Sequence, residues 1–576
     1  MTNQKIAGTL EQLADLLEFT GTNPFRLRAY RNAARKISGM SESIATMVAK
    51  GEDLTGIEGI GKSTAEKCKA LVNDGKLKQL DELLKEVPKT VLDMLKIPGL
   101  GPKRAAIIFN ELGISNLPDL KKACEAGKIQ ELDGFAAKTE KTILAGIEIA
   151  AAASNRIYWS EADEIVSRLR DHLSQCKAIQ QMEFAGSYRR GKETVGDLDV
   201  LVTSKDWNAV MDCFASFPEI ESEIIRGGTK MSVRIGDSFQ VDLRVVNDES
   251  FGAALQYFTG SKDHNVVLRG MAKDRGLKIN EWGLFEVDGD DEKRIGGATE
   301  AEIYDALELP VFPPELRQAR REFDLAKAGD LPELITVQDI KGDLHMHTTA
   351  TDGQNSIEEM AKAAKKIGLK YIAITDHSKR VAMANGLDDD RLLEQWEEVD
   401  QVNAKLKGIT ILKGIEVDIL EKGGLDISDE VLIQADWVTA SVHYGGTQSR
   451  DKITKRIVDA IAHPFVSAIS HPTGRLINQR EPYDVDMQAV MEAACDHRKL
   501  LELNAHPVRL DLHAIHCAIA KDMGIQIVIN TDAHSIPGLD VMKYGIKQAR
   551  RAGLTKKDVA NTRTWTQMKK LIGKKK

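Results

Sequence analysis

The chain is poor in cysteine and has no long apolar run, and each shortage excludes a class of protein. Six cysteines in 576 residues stand far apart (Cys68, Cys124, Cys176, Cys213, Cys495 and Cys517), with no Cys-x-x-Cys pair. That argues against a disulfide framework and a thiolate zinc site, and for a reducing cytoplasm. Uncharged apolar stretches such as residues 149–153 fall far short of the ~18 needed to span a bilayer, so no membrane association is expected. Residues 1–13 lack the basic-then-apolar pattern of a secretory leader. What is present is ordinary for a globular protein: 42% apolar and 29% charged residues. The length implies about three to five domains at roughly 150 residues each.

The net charge of −8 hides a gradient. Residues 1–150 hold 22 basic and 20 acidic side chains, and residues 19–36 carry Arg26, Arg28, Arg31, Arg35 and Lys36 without one acid. Eleven of the thirteen histidines lie after position 340. A charge run is often only a solvated face. Clustered histidine is harder to explain that way.

Residues 1–150 read as successive helices, for example 10–18 and 77–85, with apolar groups at i, i+3, i+4 spacing. Between them one pattern recurs: Ile57-Glu-Gly-Ile-Gly-Lys62, Ile97-Pro-Gly-Leu-Gly-Pro-Lys103 and Leu132-Asp-Gly-Phe-Ala-Ala-Lys138. A glycine pair after an apolar residue makes a tight turn whose second helix presents free N–H groups, which bind phosphate without sequence preference. Gly59, Gly61 and Lys62, then Gly99, Gly101 and Lys103, are the candidate DNA contacts, with Arg28 and Arg31. The third copy has Ala136 for its second glycine and reads equally as a structural turn. These segments resemble the helix-hairpin-helix motif of DNA-binding proteins. The resemblance implies that loop carbonyls of Thr55, Ile57 and Ile60, and of Leu95, Ile97 and Leu100, hold Na⁺ or K⁺. Lys67, in Ala65-Glu-Lys-Cys68, is either a surface lysine or a Schiff-base nucleophile for 5′-deoxyribose-phosphate lysis, which would need a lowered pKa.

Short apolar strands appear from residue 155. The segment Phe184-Ala-Gly-Ser-Tyr-Arg-Arg-Gly-Lys-Glu-Thr-Val-Gly-Asp-Leu-Asp-Val-Leu-Val202 combines three features. Gly186 and Ser187 open a turn whose backbone donors cradle phosphate. Arg189, Arg190 and Lys192 add cations. Asp197 and Asp199 face one side of a strand, and their repulsion is relieved by divalent metal shared with substrate phosphates. Asp242, in Phe239-Gln-Val-Asp-Leu-Arg244, supplies a third carboxylate. Two ions would activate a primer hydroxyl and hold a triphosphate.

This segment resembles the palm of family X DNA polymerases, the DNA polymerase beta group, and the resemblance extends over residues 1 to about 320. It implies that Asp197, Asp199 and Asp242 bind two Mg²⁺ ions and that Ser187 and Arg190, with Gly186, bind the nucleotide phosphates. Arg156 would reach phosphate, Tyr257 and Phe258 would pack under the incoming sugar, and Asn265 and Arg269 would touch the nascent pair. Arg244 would act as a relay near the third aspartate. Gln240 departs from the arginine of animal relatives, and Lys262 replaces an acid.

After residue 339, seven apolar segments each end in a polar cluster: 343–347, 371–377, 409–418, 437–443, 466–471, 500–506 and 525–534. Helical stretches lie between several of them, so a parallel sheet closed as a barrel is expected, with its chemistry at the C-terminal strand ends. His345 and His347 should share a strand face. They are joined by Asp352, His377, Glu416, His443, His471, Asp532 and His534. Imidazole with carboxylate suits zinc, manganese or iron. This set resembles the polymerase-and-histidinol-phosphatase (PHP) domain, a trinuclear phosphoesterase barrel. The resemblance implies one metal on His345, His347, Glu416 and Asp532, a second sharing Glu416 with His443 and His471, and a third on Asp352, His377 and His534, with Mn²⁺ or Zn²⁺ as the ions. His463 and His506 read as structural or outer-shell residues, and Arg475 and Arg509 as phosphate contacts from the rim.

The expected architecture is multidomain. An α-helical helix-hairpin-helix region covers 1–88 (DNA-binding) and 89–154 (fingers-type). An α+β nucleotidyltransferase palm (155–250), a thumb (251–316) and a linker (317–338) follow. A (β/α)7 barrel of PHP type covers 339–576. The order resembles bacterial family X polymerases. It implies a cytoplasmic, monomeric repair enzyme that fills short gaps in nicked or gapped double-stranded DNA bearing a 5′-phosphate, using dNTPs. The barrel would trim 3′ ends or cut at abasic sites. The rivals are a nucleotidyltransferase on a non-DNA acceptor and a non-catalytic DNA-end scaffold.

Overall fold

A computed structural model describes residues 3–21, 24–38, 44–57, 59–88, 90–95, 97, 100–153, 156–236 and 239–572. The amino-terminal region is helical. Asn3–Phe19 buries Ile6, Leu10, Leu13 and Leu17, one stripe at three- and four-residue intervals. Pro24–Ser38 answers with Leu27, Tyr30, Ala34 and Ile37. A single core runs from Ile6 to Ile147, with Phe19 and Phe109 rings 5.6 Å apart. The helices on both sides of residue 88 therefore pack as one body.

Strands β1 (Ile157–Tyr158) and β3 (Thr194–Val195) form a small ribbon. The main palm sheet comprises β2 (Gln181–Phe184), β4 (Asp197–Thr203), β5 (Ile220–Arg226), β6 (Lys230–Ile235) and β7 (Phe239–Val246), in the order β2-β4-β7-β6-β5. Only β4 and β7 run parallel. Period-two alternation sorts their side chains. Leu198, Val200, Val202, Val241, Leu243 and Val245 enter one core with the helices Trp159–Leu173 and Trp207–Ala215. Asp197, Asp199 and Asp242 take the opposite face.

The thumb adds β8 (Leu277–Asn280), β9 (Gly283–Asp288) and β10 (Asp291–Gly296) as an antiparallel sheet. Residues 317–338 are not the free linker that their charge suggested. Arg317 is fully buried, donating to Phe312 O and to Glu300 at 2.5 Å. Glu322 opens the helix Glu322–Ala328 and accepts from buried His264 at 3.0 Å. Charges counted as solvent-facing in sequence are paired in the interior.

The carboxy-terminal domain is a seven-stranded parallel sheet in sequence order, with helices between successive strands: β11 (Gly342–Asp343), β12 (Tyr371–Ile374), β13 (Thr410–Asp418), β14 (Trp437–Ser441), β15 (Ala468–Ile469), β16 (Leu500–Asn504) and β17 (Ile527–Asn530). It is nearly closed. Residues just past β11 meet those past β17, with His347 N donating to Ala533 O at 2.8 Å and Asp532 N to His345 O at 2.9 Å. His345 and His347 thus follow the strand rather than lying on it. Inward positions change character along each strand. Tyr371, Ala373, Leu412, Trp437, Leu500 and Val528 fill the bottom with Met568 of the helix Trp565–Ile572. Two to six residues further along the same faces stand Glu416, Asp418, Ser441, Glu502 and Asn530. No helix among the described residues is long and apolar enough to cross a membrane.

Candidate active sites and nucleic-acid interface

All three glycine turns carry the same closing hydrogen bond. Ile60 N donates to Ile57 O and Leu100 N to Ile97 O at 3.0 Å, and Phe135 N to Leu132 O at 3.1 Å. Gly59 needs its freedom, at φ +84°. Gly61 and Gly101 cap the helices Lys62–Asp74 and Pro102–Leu112 without any side-chain cap, leaving first-turn donors open. Pro102 gives the second turn one donor fewer. Lys62 and Lys103 are exposed beside them. Gly99 lies outside the described residues. The Ile57 and Ile97 carbonyls each already accept one backbone bond.

Arg28 is exposed, beside the Phe25 ring. Arg31 does not stand as a free cation. Asp15 and Glu18 hold it at 2.8 and 2.6 Å from the preceding helix, acids that a scan of residues 19–36 alone misses. Lys67 is half-buried, 3.4 Å from Ser63 Oγ and 5.2 Å above the Tyr30 ring.

In the palm, register makes the carboxylate cluster. Asp199 lies directly opposite Asp242 across β4 and β7, and Asp197 opposite Gln240. Burial pushes the Asp199 carboxyl up to about 7, with Asp197 and Asp242 adding like charge. Asp242 is opposite. Burial alone would raise it, but Lys230 at 2.8 Å, Gln240 at 2.8 Å and Ser232 hold it below the usual carboxylate range. Gln240, marked in sequence as a departure, thus orients the third carboxylate. Lys230 and Ser232 were missed because they sit on a neighbouring strand with no motif of their own. Such a trio fits divalent cations: one member resists ionising until positive charge arrives.

Gly186 is held at φ +63°, and a Cβ there would fall 2.6 Å from Asp199 Oδ2. The turn therefore touches the carboxylates. Ser187 Oγ and Arg190 Nε are buried without a hydrogen-bond partner, as suits groups facing an absent anion. Arg190 also donates to Thr259 O. Arg189 is committed elsewhere, forking onto Glu300 at 2.9 and 2.7 Å. Arg156 turns to Thr194, at 2.9 Å to Oγ1 and 2.6 Å to O. Tyr257 and Phe258 pack edge to face on the helix Phe251–Thr259, and Arg244 lies 4.4 Å above Phe258. Asn265 is buried, donating to Tyr257 O and accepting from Gln256, both at 2.8 Å, whereas Arg269 is exposed.

The barrel brings all nine candidate ligands together. Two atoms bound to one tetrahedral ion at about 2.1 Å sit roughly 3.4 Å apart. His345 Nε2 lies 3.5 Å from both Glu416 Oε1 and Asp532 Oδ1, and His347 Nε2 lies 3.1 Å from Asp532 and 3.8 Å from Glu416. His443 and His471 approach Glu416 Oε1 at 3.5 and 3.2 Å. His377 and His534 each approach Asp352 Oδ2 at 3.5 Å. The convergent donor groups are His345, His347 and Asp532; His377, Glu416 and His443; and His347, Asp352, His377 and His534, so His347 and His377 each belong to two, while His471 joins only through Glu416. His377 Nδ1 and Glu416 Oε2 are 2.7 Å apart yet lack hydrogen-bond geometry, and His345 Nε2 and His347 Nδ1 are buried with no partner. His345 Nε2 lies beside Asp532 and His347 Nδ1 lies 3.8 Å from Asp352 Oδ1, so these unpartnered nitrogens serve two neighbouring donor groups, as fits metal ions.

The supporting shell was largely illegible in sequence. Fully buried Glu502 accepts from His345 Nδ1 at 2.7 Å and from His471 N at 2.8 Å. Asp418 accepts from His443 Nδ1 at 3.1 Å. Both fix which nitrogen faces the cluster. An acid inside an apolar strand, as in Leu500-Leu-Glu-Leu-Asn504, is the signal that marks Glu502. Asp532 at φ +55° and His471 at φ +28° hold left-handed backbone that ordinary residues adopt only under constraint. Arg509 Nε stands 3.5 Å from Asp532 on the rim. His506 is exposed, its Nδ1 accepting from Val508 N at 3.4 Å. Arg475 is not a rim contact. It forks onto Glu193 of the palm at 2.6 and 3.2 Å, where two domains meet.

A palm with three clustered carboxylates, joined to a barrel of convergent histidines and carboxylates, defines a nucleotidyltransferase of the family X polymerase class fused to a phosphoesterase. Family comparisons agree. A Helix-hairpin-helix domain matches residues 1–77, a SAM-like Helix-hairpin-helix tandem 91–148, the DNA polymerase beta palm 156–224, the DNA polymerase beta thumb 254–318 and the PHP domain 343–506. The Bacillus subtilis (strain 168) protein DNA polymerase/3′-5′ exonuclease PolX is 41% identical over 566 residues, 98% of each chain. Rat DNA polymerase lambda is 26% identical over 342 residues, 55% of this chain and 56% of its own. A probable phosphatase of Thermoanaerobacter sp. (strain X514) is 31% identical over 231 residues, 38% of this chain and 89% of its own. The chain belongs to the PolX family.

Proposed function

We propose that this protein is a DNA-directed DNA polymerase that fills short gaps during repair and carries a 3′-5′ exonuclease in its barrel. The observation that carries the reading is that both sites are complete in one chain: three carboxylates on one sheet face beside an open phosphate turn, and three convergent donor groups in the barrel. A dead scaffold has no reason to keep either set. The paired hairpins ahead of the palm favour DNA over another acceptor.

In the palm, Asp197, Asp199 and Asp242 would hold two Mg²⁺ ions, which supply charge neutralisation and hydroxyl activation when bound. Ser187, Arg190 and the Gly186 turn grip the triphosphate. In the barrel, Mn²⁺ or Zn²⁺ suits the histidine-rich donor sets, and metal there supplies a hydroxide nucleophile. Glu502 and Asp418 orient the imidazoles, and Arg509 draws the scissile phosphate inward. The hairpin helices and Arg28 bind duplex DNA across a gap with a 5′-phosphate, with Na⁺ or K⁺ bridging at the turns. Lys67 is the candidate lyase amine, and borohydride trapping on abasic-site DNA, lost in Lys67→Ala, tests it. Cutting at abasic sites is a second substrate of the same barrel. The protein acts as a monomer in the cytoplasm. The deciding assay is labelled gapped DNA with Mg²⁺ or Mn²⁺, with and without dNTPs, against a tRNA acceptor. Extension of gapped DNA alone, and shortening when dNTPs are withheld, is expected. Extension of tRNA alone would overturn the reading.

A further inference from the structure

The barrel helix Met542–Arg551 lies against the palm's phosphate turn. Gly191 approaches Lys547 so closely that a Cβ would fall 2.6 Å from its Cγ. Lys547 then passes 5.6 Å from the Trp159 ring and reaches Glu315 at 3.3 Å. Next to it, Gln548 donates to Glu193, which already takes the Arg475 fork. The docking is therefore held at several points, and its one unexplained member is Arg551, one helical turn beyond Lys547.

Arg551 is 7% exposed, and its Nε and Nη1 are buried without a partner. Of the charges that act on it, Glu193, Arg320, Arg190 and Arg475, only Glu193 is negative, and Arg475 and Gln548 occupy that carboxylate. A buried unpaired guanidinium is costly. Burial lowers it to about 10, which still leaves it charged at neutral pH. Half-buried Lys192 and exposed Arg320 also have no side-chain partner among the described residues. The cations form a series. The charges of Asp199 and Asp197 act on Arg190, and those of Arg190 and Arg551 act on Lys192. Lys192 follows Gly191, which abuts Lys547 on the barrel helix one turn before Arg551, so positive charge continues from the phosphate turn into the barrel.

We propose that Lys192, Arg320 and Arg551 form an exit site for inorganic pyrophosphate, built jointly by the palm, the segment that follows the thumb, and the barrel. In nucleotidyl transfer the primer 3′ oxygen bonds to the α-phosphorus, and the bond from that phosphorus to the bridging oxygen breaks. Pyrophosphate departs with the electron pair, and the hydroxyl proton passes to solvent. The departing anion is multiply charged and begins beside Ser187 and Arg190. Of the cations near Arg190, Arg156 and Arg317 are held by Thr194 and Glu300, which leaves these three without a side-chain partner. The site makes the barrel a partner in polymerase turnover, apart from its own hydrolytic centre.

The test is inhibition of gap filling by added sodium pyrophosphate, measured in full-length protein with Mg²⁺. Arg551→Gln should raise the half-inhibiting concentration roughly tenfold, the worth of one charge-assisted contact. Arg551→Lys should restore most of it, and the dNTP KM should stay within about twofold, the shift expected when a distal contact is lost. Exonuclease rate on the same samples reports folding. Unchanged pyrophosphate inhibition in folded Arg551→Gln would overturn the proposal. So would a raised KM with unchanged inhibition, which would give the cations to the incoming triphosphate. Should Arg551→Gln unfold, Lys192→Gln carries the same test, and unchanged inhibition there overturns the proposal equally.

Discussion

Glu502 touches none of the barrel's open donor atoms, yet it receives His345 Nδ1 and the His471 amide and so holds two candidate ligands in place. Glu502→Gln keeps the shape but weakens both contacts. It should weaken Mn²⁺ activation of 3′ trimming about 10- to 100-fold, the usual cost of losing an orienting partner. A metal titration of trimming rate reads this directly, and an unchanged midpoint would make Glu502 a packing residue. Arg28 and Arg31 look alike in sequence but not in structure. Arg28→Ala should weaken gapped-DNA binding and reduce the log–log salt slope by about one unit. Arg31→Ala, which breaks half-exposed pairs with Asp15 and Glu18, should leave that slope nearly unchanged and cost under about 1 kcal/mol of stability. Binding isotherms at several salt concentrations separate the two.

At the scale of elements, the Arg189–Glu300–Arg317 bridge ties the nucleotide turn to the thumb. Burial alone would raise Glu300, but the two guanidinium groups more than offset it and bring it down to about 2. The folded chain therefore binds fewer protons here than the unfolded one. The stabilisation is complete above about pH 4.5 and is lost as pH falls toward 2. Glu300→Gln should cost about 3 kcal/mol at neutral pH. Its deficit against wild type should shrink below pH 4.5, as thermal melts across pH would show. This bridge also marks where sequence reading failed. Glycine pairs, aspartates spaced by two and histidines at strand ends carry their meaning in local spacing, so the hairpins, the palm and the barrel's candidate ligands are legible. Arg317, Glu322, Glu193 and Arg475 take their meaning from partners that are distant in the chain. A charged stretch therefore read as a linker, and an interdomain ion pair as a rim contact. The supporting carboxylates Glu502 and Asp418 were hidden for a related reason: each lies within a strand that otherwise reads as core.

Over the whole molecule, the palm and barrel are docked through Glu193, Arg475, Gln548 and the Lys543–Asp163 pair, yet their donor sets are chemically distinct. The palm is carboxylate alone, so extension should run on Mg²⁺. The barrel is rich in imidazole, so trimming should require Mn²⁺ or a similar ion and fade in Mg²⁺ alone. The most direct test of two independent centres in one chain is paired substitution, with extension and 3′ trimming measured on the same gapped DNA in Mn²⁺. Asp242→Ala should lower extension by about a thousandfold, several kcal/mol of lost charge stabilisation, and leave trimming near wild type. His345→Ala should do the reverse. Loss of both activities in well-folded Asp242→Ala would contradict the account, because the barrel would then not be a catalyst in its own right.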